Sequence, residues 1–405
     1  MNKYLLNFLI AVPLLTGAMA GFNWWIDPYG IYQHGESPAK QSQPVMSERV
    51  FKTVGLARTP ADVVLLGTSV TDLGIGSEQD AFKGKRVLNL ASFGQPIIES
   101  RQLMEIALGQ SKPQTIVLGL DLLAFNELLA HPSDYVAENY SPLRRYNLLL
   151  SVSTLADSWH VLHHPVLVAG QCCDAQGFRV PQAASSWAGA FHRNFVANES
   201  VYLREKYLPY PECKFSFDSA SKAAGSSFDE LRAMIRLAHQ QHVDFRLFIS
   251  PSHARQWETL AAAGLSDTWE AWKGELVRIN EEEAKRAAAQ PFALWDFSGY
   301  DTISSEAVPA ADDQKTLMRW YSDSAHYTPA LGKLIIQRIF TATNTDLPEG
   351  WGVLLNATNL ESHLIELRAA QQRYRQTHAQ DIAEIAATAL SVNQVKNCPH
   401  SPVGK

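Results

Sequence analysis

Two short stretches hold residue types that can do chemistry together. One is Gly67-Thr68-Ser69 and the other is Asp323-Ser-Ala-His326. An aspartate and a histidine three positions apart on a turn can face the same side. The carboxylate then fixes one imidazole nitrogen while the other is free to take a proton from a serine hydroxyl. This is the orienting logic of a nucleophile–base–acid triad, with Ser69, His326 and Asp323 in those roles. Each stretch alone also has an ordinary reading. Gly-Thr-Ser commonly caps a helix, and Asp-x-x-His can start one with a surface histidine. No G-x-S-x-G elbow is present, which disfavours a lipase-type hydrolase. No H-E-x-x-H cluster, Walker loop or dinucleotide glycine fingerprint appears, so neither a metal nor a nucleotide cofactor is expected.

Triad chemistry needs a scaffold that brings distant segments to one edge. Short apolar runs supply candidate buried strands at Asp62-Val-Val-Leu-Leu-Gly67, Arg86-Val-Leu-Asn-Leu-Ala91 and Thr115-Ile-Val-Leu-Gly-Leu-Asp121. Two more lie at Asp244-Phe-Arg-Leu-Phe-Ile249 and Phe292-Ala-Leu-Trp-Asp296. Helical patterns separate them. One runs from Pro96 to Leu108. Another starts at a Ser227-x-x-Glu230 capping box. A long helix carries Trp269, Trp272, Leu276 and Ile279 on one side, and a last core helix spans Pro329 to Ala342. Strands alternating with helices imply a parallel sheet covered on both faces. The predicted fold is therefore α/β, three-layered, with about five parallel strands. In such sheets ligands gather beyond the carboxyl ends of the strands. Ser69 follows the first strand and Asp323-x-x-His326 follows the fifth, so both fall on that edge.

Serine first and Asp-x-x-His late, on this topology, resembles the SGNH (GDSL-like) hydrolase superfamily. The resemblance covers residues 60–127 and 226–345 and implies a flavodoxin-like strand order. It also implies an oxyanion hole made by the backbone N–H groups of Ser69 and of Gly94, the glycine after strand two. The block after strand three reads Gly119-Leu-Asp121-Leu122, with aspartate where the family often has asparagine. An ionised carboxylate cannot donate a hydrogen bond, and Asn126 is the candidate substitute. The first block departs too, with Gly-Thr-Ser for Gly-Asp-Ser. Such departures resemble those of membrane-anchored SGNH-like proteins that modify surface polysaccharides, including the alginate O-acetylation and teichoic-acid D-alanylation proteins. The implied function is an acyl-esterase or O-acyltransferase acting on a cell-surface or exopolysaccharide glycan, with an acylated glycan or acyl donor as partner. The alternative is a non-catalytic, membrane-tethered glycan-binding component of an envelope polysaccharide assembly.

The rest of the chain bounds these readings. It has 405 residues, 46% of them apolar and 19% charged, with a formal net charge of −6. That is a globular composition without a basic run, so nucleic acid is not an expected partner. An uncharged stretch from Tyr4 to Ile26 follows Lys3 and ends in Trp24 and Trp25. As a helix it is about 35 Å long, enough to cross a hydrocarbon layer of about 30 Å. Residues 1–26 thus read as a single-pass inner-membrane anchor, with the bulk of the chain in the periplasm or outside the cytoplasm. Ala18-Met19-Ala20 leaves open a cleaved signal and a secreted product. Residues 27–60 form an approach segment, with a helical pattern around Met46 to Leu56. Residues 61–127 plus 226–345 make the catalytic domain, 128–225 an insertion or cap, and 346–405 a tail with an amphipathic helix over Leu360 to Leu390. Cys172 and Cys173 are adjacent, and one of them could pair with Cys213 in an oxidising compartment; Cys398 lies in the tail. His163-His164 lacks companion ligands at metal-binding spacing.

Overall fold

The computed structural model describes residues 3–32, 47–163, 173–179, 188–219, 225–341 and 350–396. The chain opens with α1 (Lys3–Ile26). A short helix α2 (Glu48–Val50) winds on as a π turn over Phe51–Gly55 and a 3-10 turn over Leu56–Arg58. Then β1 (Val63–Leu66), α3 (Ser69–Gly74), β2 (Val87–Asn89), α4 (Ile97–Gln110) and β3 (Thr115–Leu120) alternate. The insertion carries α5 (Arg144–Leu149), α6 (Val152–His163) and α7 (Phe191–Val201). Alternation resumes with α8 (Ser227–Gln241), β4 (Asp244–Ile249), α9 (Ala254–Ala262), α10 (Ser266–Arg286), β5 (Leu294–Asp296) and α11 (Pro329–Phe340). The chain ends with β6 (Val353–Leu354), α12 (Leu360–Thr377) and α13 (Ala379–Lys396).

The sheet order is β2-β1-β3-β4-β5-β6. The first five strands are parallel and follow the doubly wound order 2-1-3-4-5. Alternation along β1 explains the two covered faces. Val64 and Leu66 enter one core with α4, α8 and α10, while Val63 and Leu65 enter another with α3 and α11. All four are fully buried, each contributing about 1.5–3 kcal/mol of transfer free energy. Every strand residue of β1 is apolar because both faces of the sheet are covered.

Several local expectations are corrected. The capping box belongs to Ser226 and Asp229, one residue earlier than the Ser227/Glu230 pair, because Ser226 is the extended residue outside the helix. The long helix that carries Trp269, Trp272, Leu276 and Ile279 is α10, but it does not follow β4 directly, since α9 comes first. The chain breaks at Gly264, whose φ of +76° ends α9 and lets Trp257 stack on Trp269 with ring centroids 4.7 Å apart. The tail helix is two, parted at His378. The sixth, antiparallel strand comes from the segment assigned to the tail, where Trp295 pairs with Leu354 and Asp296 with Val353. Among its described residues the insertion, weak in periodicity, nonetheless carries the helices α5, α6 and α7. His164, Cys172 and Cys398 lie outside the described residues. His163 Nδ1–H donates to the Trp159 carbonyl, 2.9 Å away, and the ring stacks on that indole. Cys173 and Cys213 are each disulfide-bonded.

Candidate active site

The turn after β1 is shaped by close approach. Gly67 has φ +147°, and a Cβ there would sit 2.5 Å from Thr71 Oγ1. Only glycine lets α3 start so near the sheet. Thr68 then caps the helix, its hydroxyl accepting from the Val70 N–H at 3.2 Å. Ser69 becomes the first helical residue, at the carboxyl edge of the sheet.

His326 arrives from a tight loop between Tyr321 and Tyr327, which form an isolated antiparallel bridge. Asp323 organises this loop. Its Oδ1 accepts from the backbone N–H of Ala325 at 2.8 Å and of His326 at 2.9 Å. The same carboxylate meets His326 Nδ1, at 2.8 Å from Oδ2 and 3.0 Å from Oδ1. His326 Nε2 lies 2.9 Å from Ser69 Oγ. Asp323, His326 and Ser69 therefore form a continuous hydrogen-bonded relay. With Asp323 accepting at Nδ1, the neutral ring carries its proton there and offers Nε2 as acceptor to the serine hydroxyl. The two side chains are 12% and 18% exposed, so the relay opens to solvent at its tip.

Electrostatics agree with that geometry. Burial disfavours a charged Asp323, but the His326 ring and the two loop N–H groups outweigh it and hold the carboxyl below its ordinary range. Burial likewise opposes an imidazolium at His326. The Asp323 carboxylate overcomes this, with smaller help from Asp121 and Asp72, and raises the ring above its ordinary pKa.

The loop is braced from several elements. Ser324 Oγ donates to Gln256 Oε1 at 2.7 Å and accepts from Asn198 Nδ2 at 3.0 Å. Asn198 Nδ2 also reaches Asp323 Oδ1 at 3.3 Å. The His253 N–H donates to the Ser324 carbonyl at 2.9 Å. Asn198 belongs to α7 of the insertion, so the insertion supplies a support to the relay. Nothing in its local sequence singled it out, because the contact is made across the fold.

The other predicted residues separate into distinct roles. Asp121 follows β3 and accepts from Thr68 Oγ1 at 2.5 Å, tying the serine turn to the neighbouring strand. Its crowded surroundings raise the carboxyl above its ordinary range, against the pull of Thr68, Ser250 and His326. Gly94 sits in the loop after β2 with φ +59°. Among the described residues, neither the Ser69 nor the Gly94 backbone N–H has a protein acceptor. Asn126 has a different task from the one expected of it. Its Nδ2 donates to the Lys206 carbonyl, and its Oδ1 accepts from the Leu128 and Ser216 N–H groups, each at 3.3 Å. That carboxamide fastens the two ends of the insertion, and it is removed here from the oxyanion donors.

Two cations of the approach segment hold the loop that carries Gly94. Arg49 donates to the Phe93 carbonyl at 2.6 Å and to Ser92 Oγ at 3.1 Å, while pairing with buried Glu99. Lys52 donates to the Ala91 carbonyl and pairs with Asp72 of α3 at 2.5 Å. Arg179 meets the other Asp72 oxygen at 2.5 Å. These residues were not foreseen; a basic residue in a short helical pattern reads as surface until its buried partners are known.

Comparison with family models, with curated proteins and with solved structures gives no match for this chain.

Proposed function

We propose that this chain is a serine-dependent acyl-esterase or O-acyltransferase of the SGNH-like kind, exported and tethered to the bacterial inner membrane, and acting on acylated cell-surface or exopolysaccharide glycans. The observation that carries the reading is the Ser69–His326–Asp323 relay, with every link at hydrogen-bond distance. In the proposed reaction Ser69 Oγ attacks the ester carbonyl and passes its proton to His326 Nε2. Asp323 keeps the ring oriented and stabilises the imidazolium that forms. The backbone N–H groups of Ser69 and Gly94 receive the oxyanion, each well-placed donor worth about 3 kcal/mol in the transition state. The intermediate collapses as His326 protonates the leaving alkoxide, which leaves an acyl group on Ser69. Water or a sugar hydroxyl then gives up its proton to His326 and attacks the acyl-enzyme, and collapse of this second intermediate breaks the bond to Ser69 Oγ, which takes the proton back from His326. Water makes the protein an esterase and a sugar hydroxyl makes it a transferase.

α1 supports the tether. It is long and apolar enough to span a membrane, and its far end is built into the folded domain. The side chain of Asn23 is buried, donating to the Leu149 and Ser151 carbonyls and accepting from Ser158 Oγ. The disulfide-bonded state of Cys173 and Cys213 suits an oxidising compartment.

The test is a Ser69→Ala variant assayed on p-nitrophenyl acetate and on an acetylated glycan. Activity falling to background is the expected outcome. Full retention by the variant would remove Ser69 as the nucleophile and this function with it.

A further inference from the structure

Among the described residues of the folded domain, several exposed apolar side chains gather on the α5–α6 hairpin. Leu150, Val152, Trp159 and Leu162 are all exposed, Val152 to 73% and Trp159 to 59%. Tyr146 joins them on α5 beside Arg144 and Arg145. Such a patch on a folded domain marks an interaction surface. What covers it follows from the position of α1, which packs against both α5 and α6.

Helix length fixes the level of that contact. From Lys3 to Leu15 every residue of α1 is exposed, whereas from Thr16 to Ile26 one side of the helix is covered, with Asn23 and Ile26 buried, and Trp24 and Trp25 stay exposed on the other. The bare portion is only about 20 Å long at about 1.5 Å per residue. A hydrocarbon layer of about 30 Å therefore takes in the helix as far as about Asn23. Asn23 is the residue hydrogen-bonded to Leu149 and Ser151 at the α5–α6 turn and to Ser158 on α6. If α1 spans the bilayer, the hairpin cannot stand clear of it. Trp24 and Trp25 mark the same level.

We infer that the α5–α6 hairpin is a second membrane contact, lying in the interfacial layer with Leu150, Val152 and Trp159 among the upper acyl chains. Arg144 and Arg145 sit at headgroup height. Among the described residues neither is paired with a carboxylate. Arg144 donates to Asn139 Oδ1, and Arg145 lies over the Tyr146 ring. Both guanidinium groups therefore suit the phosphates of anionic phospholipids. Aromatic and long apolar side chains on one side of a helix with arginines at the rim are the composition of an interfacial helix. Two contacts fix the tilt of the domain where one helix would leave it swivelling. The sheet edge that bears Ser69 then keeps a set height above the membrane. The inference rests on α1 crossing the bilayer and is independent of the chemistry at Ser69.

The test uses the full chain in nanodiscs of phosphatidylcholine and phosphatidylglycerol doped with a phospholipid carrying a photoreactive diazirine on its acyl chain. After illumination, adducts are mapped by peptide mass spectrometry. Adducts on residues 143–163 as well as on α1 are expected, with a Val152→Ser/Trp159→Ser variant lowering the hairpin yield severalfold relative to α1. Adducts confined to α1 would overturn the inference while leaving the anchor in place. Adducts on neither segment would remove the inference and the anchor together.

Discussion

Among the described residues two Asp–His pairs lie beside the sheet, and they are wired in opposite ways. In the first, Asp323 and His326 are three residues apart on one turn, and the ring meets the carboxylate through Nδ1. Its Nε2 is left to face Ser69. In the second, Asp296 at the end of β5 is joined by His363 of α12, whose Nε2 lies 2.9 Å from Oδ2. A serine and a lysine complete that cluster. Ser298 Oγ donates to Asp296 Oδ1 at 2.6 Å, and Lys273 Nζ donates to Asp296 at 2.6 Å and to Ser298 at 2.7 Å. Residue types alone would nominate both clusters for nucleophilic catalysis. Connectivity separates them. Ser298 gives its proton to a carboxylate whose charge is already balanced by an ammonium, and no ring nitrogen waits to receive it. Burial works against the charge on both partners. It lowers the pKa of the Lys273 ammonium, while Lys273 and His363 still hold Asp296 well below the ordinary carboxylate range. The second cluster is a clamp between β5, α10 and α12, and only the first is arranged to move a proton.

The sharpest way to break this contrast is to remove the two serines in turn. Ser69→Ala or His326→Ala is expected to lower kcat on an ester substrate by about 10⁴-fold or more, as for other relays whose members act as a unit. Ser298→Ala is expected to leave kcat within a few-fold. An equal loss in both variants would erase the distinction. The next largest effect is expected from Asp323→Asn, at about 10⁴-fold in kcat from the wrong tautomer. This variant also carries a pH signature. A base must be neutral to accept a proton, so kcat/KM of the native protein is expected to rise with pH through a pKa above about 6.5. Loss of the Asp323 charge removes the main influence holding that pKa up, so the limb is expected to move to lower pH in the variant. A limb that stays in place would mean that another group titrates.

The second cluster answers to stability. Asp296→Asn leaves Lys273 buried without its counter-charge, and breaking such a pair costs about 3–5 kcal/mol. A lowered unfolding midpoint is expected, with unchanged activity per folded molecule. His363→Leu is expected to cost less and to raise hydrogen exchange mainly in α12. The smallest effect is reserved for Asn198→Ala, which removes one brace from the Asp323 loop. A several-fold loss in kcat at unchanged KM is expected, since the relay is loosened and not broken.

Why one cluster was readable in the sequence and the other was not follows from where their order is stored. Asp323 and His326 share a turn, so their spacing alone predicts a common side. The Ser69 turn sits after an apolar run that only a buried strand explains. Asp296, Lys273 and His363 come from three elements whose alignment exists only once α10 and α12 have packed. The same holds for Asn198, and for Arg49 and Lys52, whose carbonyl and carboxylate partners lie on the loop after β2, α3 and α4. The parallel strands were legible because each carries a short apolar run, unbroken in β1 and interrupted in β4 only by Arg246. β6 was not, being two residues long beside glycines at 350 and 352. The break at His378 was missed because the apolar stripe resumes on its far side, so periodicity reads straight through.

The most direct measurement is labelling of the full chain with a fluorophosphonate probe, followed by mapping of the modified residue by mass spectrometry. A single adduct on Ser69, abolished by His326→Ala and untouched by Ser298→Ala, is the result expected from a relay that activates this serine. No adduct on Ser69, or one that survives loss of His326, would contradict it.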